Sequence, residues 1–180
     1  MLFDQYTFIH PEKVDYETFY SLINQNIRHL KIGFPYTIRA CSTLEKTKEF
    51  LEKNIKTQQQ KKGYYFFIFD TETSSLVGLI NIKSINRKIP MCELGYFIDE
   101  KLQGKGIISK GVAIIVKFCF EQMKMNKIFI CTDPSNIGSQ RVALKNGFLQ
   151  EGILRNEFKD PDGQVHDVVY FGLLKDDYKP

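Results

Sequence analysis

The chain has 180 residues, of which 43% are hydrophobic and 26% are charged. This length is typical of one domain of about 100–200 residues, and the composition excludes a disordered, collagenous or coiled-coil chain. The 25 basic residues exceed the 21 acidic ones by only four, which is compatible with an anionic ligand. Nucleic-acid binding needs a clustered basic charge that this chain lacks. We therefore predict one domain over residues 1–180 that has no nucleic-acid partner.

Targeting signals and cysteine pairs are not evident in the sequence. No apolar run approaches the ~20 residues of a membrane span, and the start MLFDQYTFIH lacks the basic and apolar regions of a signal peptide. Four cysteines are far apart, with no CxxC pair and no His/Cys cluster: Cys41, Cys92, Cys119 and Cys131. This spacing predicts reduced thiols and no metal site. We expect a cytoplasmic protein without metal and without membrane contact.

The first third of the chain is predicted to be mainly helical. A short strand is predicted over residues 6–10, followed by a helix over 15–26 that Asp15 caps. The stretch Ser42-Thr-Leu-Glu45 matches a capping box, in which hydroxyl and carboxylate satisfy each other's orphan amides. A second helix is therefore predicted to begin at Ser42 and to continue towards Lys62.

The middle of the chain is predicted to form a sheet. Residues 64–69 and 76–82 are rich in aromatic and β-branched side chains and flank a turn, which indicates a hairpin. Residues 92–98 alternate, so that one face is expected to carry Cys92, Leu94, Tyr96 and Ile98. Glu93 lies on the opposite face of that strand.

The second half alternates helices and strands. A Gly-rich turn leads into a helix whose apolar positions recur at helical spacing: Ile108, Val112, Ile115 and Cys119. A strand over 127–132, a helix over 138–146 and strands over 148–154 and 165–174 follow. This order predicts an α+β fold with a mixed sheet.

The turn Gln103-Gly-Lys-Gly106-Ile-Ile-Ser109 is the most informative segment. Glycines before a helix expose main-chain amides at its positive end, where a pyrophosphate can approach closely. The segment lacks the GxxxxGK[ST] pattern and the third glycine of a dinucleotide fingerprint. Taken alone, it supports an anion site and an ordinary loop equally well.

Two adjacent residues elsewhere could be mistaken for a catalytic pair. His166 is followed directly by Asp167, within a predicted strand. Since successive side chains of a strand point to opposite faces, we expect the two to diverge. Cys131 ends another predicted strand and is expected to be a buried structural thiol.

Several short motifs acquire meaning through their order along the chain. They are Glu93-Leu-Gly-Tyr-Phe-Ile98, Gln103-Gly-Lys-Gly106, Asn136-x-x-Ser139, Lys145-Asn-Gly-Phe148 and Glu151-Gly-Ile-Leu-Arg155, with the tail Gly163 to Lys175. In this order and spacing the chain resembles the GCN5-related N-acetyltransferase (GNAT) superfamily. Within it, the motifs are similar to those of the RimJ/RimL-type ribosomal-protein N-terminal acetyltransferases.

The resemblance implies a GNAT acyl-CoA N-acyltransferase fold. In this α+β fold a mixed central sheet, with flanking helices, is splayed at a V-shaped cleft that holds acetyl-CoA as cosubstrate. Pantetheine would pair with the main chain of Phe97 and Ile98 in the strand over 92–98. The pyrophosphate would lie on the main-chain amides of the Gly-rich turn, and Asn136 would contact the pantetheine arm. The implied cofactor-binding residues are Phe97, Ile98, Gln103, Gly104, Lys105, Gly106, Ile107, Ile108, Ser109, Asn136 and Lys145. Ile108 departs from the family pattern, which has a small residue there.

Acetyl transfer to an amine needs a neutral nucleophile, and an α-amino group has a pKa of about 8. Two carboxylates are available as the base or as a partner of the ammonium group, Glu93 and Glu157, although either could be a solvated or ion-paired carboxylate. Ala143 occupies the place where many family members have a tyrosine acid. The resemblance implies Ser139 as the acid, and helix capping is its alternative role.

These residues predict an acetyl-CoA-dependent N-acetyltransferase. The resemblance implies a protein N-terminal amine as acceptor, for instance on a ribosomal protein. A small-molecule amine such as a polyamine or an antibiotic is the alternative acceptor. A non-catalytic acyl-CoA sensor is the alternative class, and a homodimer is a further expectation from the family.

Overall fold

The computed structural model describes residues 2–179, and over this range it contains eight strands and six α-helices. The strands are β1 (Leu2–Phe3), β2 (Tyr6–Ile9), β3 (Tyr64–Asp70), β4 (Ser75–Asn86), β5 (Met91–Ile98), β6 (Lys127–Thr132), β7 (Leu149–Lys159) and β8 (Val165–Leu174). The helices are α1 (Tyr16–Gln25), α2 (Ile27–Leu30), α3 (Pro35–Ala40), α4 (Leu44–Gln59), α5 (Ile107–Glu121) and α6 (Ile137–Lys145).

The contacts within the chain define two compact units. The first contains the residues up to Asn81 together with Tyr96–Lys105, and the second contains Ile82–Gly95 and the residues from Gly106 onwards. Strands β4 and β5 each contribute residues to both units. The assignment of one domain to residues 1–180 stays a prediction.

In the first unit the strands follow the order β1-β2-β3-β4, and β2 pairs antiparallel with β3 from Tyr6↔Asp70 to Ile9↔Phe67. Asp15 caps α1 as predicted, because its carboxylate accepts a hydrogen bond from the Thr18 amide at 2.8 Å. The apolar side chains of this helix pack in a core of largely aliphatic and aromatic residues: Phe19, Leu22, Ile23, Leu30, Cys41, Leu51, Phe67, Leu76, Leu79 and Phe97.

The start of α4 differs from the prediction by one residue. Thr43 is the N-cap, and its side chain accepts from the Lys46 amide at 3.2 Å. The Ser42 hydroxyl instead contacts the Lys46 ammonium group at 3.2 Å. The predicted capping box of Ser42 and Glu45 is therefore wrong, since the helix begins after the second of two adjacent hydroxyl residues. Helices α2 and α3, only four and six residues long, were not predicted because they are too short for an apolar period.

In the second unit the strands follow the order β4-β5-β6-β8-β7. Strand β5 runs parallel to β6, whereas β8 runs antiparallel to both β6 and β7, so the predicted mixed sheet is confirmed. Helix α5 buries its predicted stripe, and Val112, Ile115 and Cys119 are fully buried. Strand β7 extends to Lys159, beyond the predicted end at residue 154. The prediction ended too early because almost all side chains of this strand are exposed, so no apolar alternation marks its length.

The parallel register between β5 and β6 is short. It runs from Met91↔Lys127 to Glu93↔Phe129, although β5 continues to Ile98. The predicted face of β5 needs a correction, since Phe97 is buried and Tyr96 is half-buried.

None of the helices within residues 2–179 has the length and apolar character that crossing a membrane requires.

One strand glycine gives a stability prediction. A Cβ at Gly78 would lie 2.5 Å from the Phe97 carbonyl oxygen, which is main chain and cannot swing aside. Gly78→Ala should therefore lower the free energy of unfolding by about 2 kcal/mol through overpacking. Gly152→Ala is the matched control, because a Cβ there has nothing within 4 Å. Denaturant unfolding measures both, and equal stability of the two variants would contradict the prediction.

Candidate active site

The Gly-rich turn has the geometry of an anion site. Gly104 and Gly106 have φ values of +74° and +78°, a left-handed conformation that glycine adopts without strain. Gly106 is the N-cap of the 15-residue helix α5 and has no side chain with which to cap it. The first amides of a helix lack partners within the helix and carry its positive partial charge. The turn therefore presents main-chain donors to an anionic group.

The side chains that follow the turn do not contribute to this set of main-chain donors. Ile107 and Ile108 are buried, so only their amides are available to a ligand. This explains how the chain accommodates Ile108 where the family has a small residue, because the side chain points into the core. Ser109 is also buried, and its hydroxyl accepts a hydrogen bond from the Asn146 side chain at 3.2 Å. Lys105 is exposed.

Main-chain direction distinguishes the two predicted pantetheine residues at the end of β5. The Asp99 amide donates to the Val77 carbonyl of β4 at 2.7 Å. Because the main-chain groups of successive residues in a strand point to opposite edges, those of Ile98 are turned away from β4. By the same alternation the main chain of Phe97 faces β4. The geometry therefore favours Ile98 over Phe97 as a main-chain partner for a ligand.

Glu93 is a fixed carboxylate on β5. One of its oxygens lies 3.0 Å from the Lys83 ammonium nitrogen, and the other accepts from the Ser84 hydroxyl at 3.0 Å. Its side chain is 13% exposed, whereas that of Lys83 is 51% exposed. Both partners are on β4, so the cross-strand contacts hold this carboxylate in one orientation.

Glu157 is an exposed carboxylate in an irregular part of β7. The pairing of β7 with β8 shifts register between Leu154 and Phe158. Asn156, immediately before Glu157, has a φ of +53°, and its amide donates to Asp167 at 2.9 Å. The irregularity presents Glu157 in a local conformation that a regular strand would not give it.

Both carboxylates lie within electrostatic reach of Cys131 on β6. Burial, as the largest cause, and the negative charges of Glu93 and Glu157 together raise the pKa of the Cys131 thiol to about 12, and Lys83 opposes them. Two carboxylates of the second unit thus act on the same thiol, although they are 64 residues apart in the sequence. Their joint role as a catalytic pair stays a prediction.

The same region carries an aromatic surface that sequence reasoning missed. The rings of Phe129 and Tyr170 are stacked at 5.0 Å, and the Lys127 ammonium group lies 5.2 Å from the Tyr170 ring centroid. Lys127 also forms an ion pair with Glu151. Burial raises the pKa of Tyr170 to about 12, with smaller contributions from Cys131, Glu151 and Glu93, so its phenol remains protonated at neutral pH.

Ser139 and Asn136 lie at the start of α6. Asn136 is the N-cap, and its side-chain oxygen accepts from the Ser139 amide at 3.0 Å. This side-chain oxygen is thus already engaged in capping α6. Ser139 is half-buried. Lys145 is exposed in the last turn of the same helix.

Two other predictions for the site concern His166 and the metal. His166 is paired with Asp160 at 2.9 Å, whereas Asp167 accepts from the Asn156 amide, so the sequence-adjacent residues diverge as predicted. No group of three or more metal-ligating side chains occurs among the residues that the structure describes.

The raised thiol pKa predicts that Cys131 is unreactive in the folded protein. At pH 8 a pKa of about 12 leaves only about one thiolate in ten thousand. Titration with a disulfide reagent at pH 8 should therefore modify Cys131 far more slowly than the same thiol in denaturant. Labelling in the native state at the rate of the unfolded chain, located by peptide mass, would contradict this prediction.

Comparison with known proteins identifies the family of this chain. A family model described as an acetyltransferase (GNAT) domain matches residues 6–149. The fold is shared with a solved structure, a ribosomal-protein-S5-alanine acetyltransferase from Vibrio fischeri, at a TM-score of 0.87 and 24% identity over 100% of this chain and 98% of the other. The fold and the match define an acyltransferase domain with a splayed sheet. The chain belongs to the GNAT acetyltransferase family.

Two curated relatives indicate the range of acceptors within the family. The ribosomal-protein-serine acetyltransferase of Escherichia coli is 31% identical over 111 residues, which are 62% of this chain and 61% of the relative. The spermidine N(1)-acetyltransferase of the same organism is 24% identical over 130 residues, which are 72% of this chain and 67% of the relative. The chain spans 59% to 66% of the length of three curated relatives that it matches at 31% to 33% identity.

Proposed function

We propose that this protein transfers the acetyl group of acetyl-CoA to the α-amine of a protein N-terminus. The observation that supports the proposal is the presence of two carboxylates in the second unit, Glu93 in the β5–β6 pairing and Glu157 in the irregular part of β7, which both influence the Cys131 thiol on β6. A pair of carboxylates suits acetylation of an amine, since one can bind the ammonium group while the other removes its proton. Family membership supplies the reaction class.

The two carboxylates have different surroundings, which suggests different tasks. Glu157 is exposed and carries the role of general base, acting directly or through one water molecule. Glu93 is held by Lys83 and Ser84, so it is suited to orient the acceptor or a water without changing its own position. The neutral amine then attacks the thioester carbonyl, a tetrahedral intermediate collapses, and the CoA thiolate leaves.

The leaving thiolate receives its proton from Ser139 in this proposal. Its amide is fixed by Asn136, so the start of α6 has a defined conformation. A thiol is acidic enough, with a pKa of about 8.5, to leave with little assistance. Loss of the Ser139 hydroxyl should therefore affect turnover less than loss of Glu157.

The cofactor contacts in this proposal are mainly main-chain groups. The amides from Gln103 to Ile108 would hold the pyrophosphate, and the Ile98 main chain would pair with pantetheine. Lys105 and Lys145 are exposed cations that would each favour the negative charge of the phosphates. Asn136 would contact the pantetheine arm through its side-chain nitrogen. The Ser109 hydroxyl is already an acceptor for Asn146 and would contribute less than the amides.

The acceptor class rests on the relatives. The serine acetyltransferase and the S5-alanine acetyltransferase are both named for ribosomal proteins, and such an acceptor would place the reaction in the cytoplasm. The match to spermidine N(1)-acetyltransferase makes a polyamine the second candidate acceptor. An exposed aliphatic amine and a peptide N-terminus differ in that only the peptide has an amide next to the attacking nitrogen.

Thiol release from acetyl-CoA against a panel of acceptors distinguishes these alternatives. The panel contains peptides with N-terminal Ser, Ala and Met, together with spermidine and an aminoglycoside. The proposal predicts release with at least one of the peptides at a higher kcat/KM than with spermidine. Release with the small amines alone would overturn the acceptor assignment and keep the chemistry. Binding of acetyl-CoA without release to any amine would favour an acyl-CoA sensor.

A further inference from the structure

Asn26 connects two distant parts of the first unit. It lies between α1 and α2 and is 2% exposed. Its side-chain nitrogen donates to the Leu22 carbonyl at 2.8 Å, and its side-chain oxygen accepts from the Glu100 amide at 2.8 Å. One buried amide group therefore joins the end of α1 to a residue 74 positions further along the chain.

A second contact joins the same two segments. The two ring nitrogens of His29, in α2, lie 2.7 and 3.0 Å from the Gln103 side-chain nitrogen. Gln103 is the first residue of the Gly-rich turn, and only two residues separate it from Glu100. The segment that enters the turn is thus held at both ends by the junction of α1 and α2.

We infer that Asn26 is a positioning residue for acetyl-CoA, acting through the turn that follows Glu100. The inference rests on the proposed function, because it takes this turn as the pyrophosphate site. Gly104 and Gly106 give the turn the conformation that it needs, but glycines also leave it many alternatives. Fixing the preceding segment restricts those alternatives, and preorganisation of this kind increases affinity without any new contact to the ligand.

The contact also couples α1 and α2 to the cofactor. If the order of the turn and the order of the helix junction are linked through Asn26, binding at the turn must stabilise the junction as well. The amides around Leu22 to Leu30 should then exchange their hydrogens more slowly once CoA is bound. A residue that only supports the fold would show no such response to a ligand.

Three variants separate positioning from stability. Asn26→Ala removes both hydrogen bonds and leaves the Glu100 amide without its acceptor. Asn26→Asp retains an oxygen for that amide. Asn24→Ala is the matched control, because Asn24 also donates to the carbonyl four residues earlier, Tyr20, at 2.8 Å, whereas within residues 2–179 the Glu100 amide donates to Asn26.

Calorimetry measures the affinity of each folded variant for CoA. The loss of one buried hydrogen-bond acceptor predicts a change of about tenfold in the dissociation constant for CoA. We expect Kd to rise about tenfold in Asn26→Ala, with kcat at saturating acetyl-CoA unchanged. Asn26→Asp and Asn24→Ala should stay within about threefold of the wild type. If Asn26→Ala is too unstable to measure, hydrogen exchange of the wild-type chain decides the question: slower exchange between Leu22 and Leu30 with CoA bound supports the inference, and unchanged exchange there overturns it.

Hydrogen exchange of the wild-type chain with and without CoA provides the second readout. Slower exchange between Leu22 and Leu30 on binding, absent in Asn26→Ala, supports the inference. Unchanged exchange there, or an unchanged Kd in Asn26→Ala, overturns it. A variant of Gly106 distinguishes the positioning role of Asn26 from the assignment of the turn as the pyrophosphate site. If the Gly106 variant loses CoA affinity and Asn26→Ala does not, only the positioning role is overturned. If the Gly106 variant keeps its CoA affinity, the assignment of the turn as the pyrophosphate site is overturned.

Discussion

Substitution of Gly106 by valine is expected to weaken acetyl-CoA binding by about a hundredfold, or about 3 kcal/mol. The φ of +78° at this position is accessible to glycine, whereas a β-branched side chain is strained there by about 1–3 kcal/mol. A Cβ at Gly106 meets nothing within 4 Å, so the side chain would occupy open space beside the turn, which the proposed phosphate also needs, rather than space inside the protein. The substitution would distort the turn and would hinder the approach of a phosphate.

Gly163→Val is the matched control for this experiment. Gly163 has a φ of +87°, so valine meets the same backbone strain in the turn between β7 and β8. Its stability should fall by an amount similar to that of Gly106→Val, with its CoA affinity retained. Calorimetric titration with CoA and thermal unfolding of both variants measure the two effects. Equal CoA affinity in the two variants would contradict the assignment of the turn as the pyrophosphate site.

Replacing Glu157 by glutamine is expected to lower kcat/KM by about a hundredfold at pH 7, which is typical for removal of a general base. The loss should shrink as the pH rises past about 8, because the acceptor α-amine then becomes neutral without help. KM for acetyl-CoA should stay the same, since the base is not part of the proposed cofactor site.

Two further variants serve as comparisons that separate general-base catalysis from positioning. Glu121→Gln on α5, where the carboxylate pairs with Lys117 on the same helix, should retain wild-type turnover. Glu93→Gln removes an acceptor that Lys83 and Ser84 hold, so it should lower turnover by a similar factor at every pH, as expected for a positioning group. A loss in Glu157→Gln that is equally large at pH 7 and pH 9.5 would show that Glu157 also acts by positioning.

The features that the sequence predicted correctly are those determined by nearby residues. Asp15 caps α1 because its side chain reaches an amide three residues away, and α5 buries residues that recur at helical spacing. The capping box at Ser42 failed for a local reason as well, since Ser42 and Thr43 are both good caps and their order alone does not select one. Local signals thus locate an element well and its first residue less well.

The features that the sequence could not predict depend on residues far apart. The Phe129–Tyr170 stack needs the register between β6 and β8, which no local pattern contains. The contact between Asn26 and Glu100 could not be predicted either, because the two residues are 74 positions apart in the sequence. In contrast, the pair Lys83–Glu93 spans a short connection between β4 and β5, so opposite charges on facing strands were a signal that could have found it.

Mass spectrometry of a single reaction measures acetyl transfer to a peptide N-terminus. The substrate is a peptide with a free N-terminal serine and one internal lysine, incubated with acetyl-CoA and the 180-residue chain. We expect a gain of one acetyl group, located by fragmentation on the first residue, and no product from the same peptide with a blocked N-terminus. Acetyl groups on the lysine alone, or acetylation of spermidine with the peptide untouched, would contradict it.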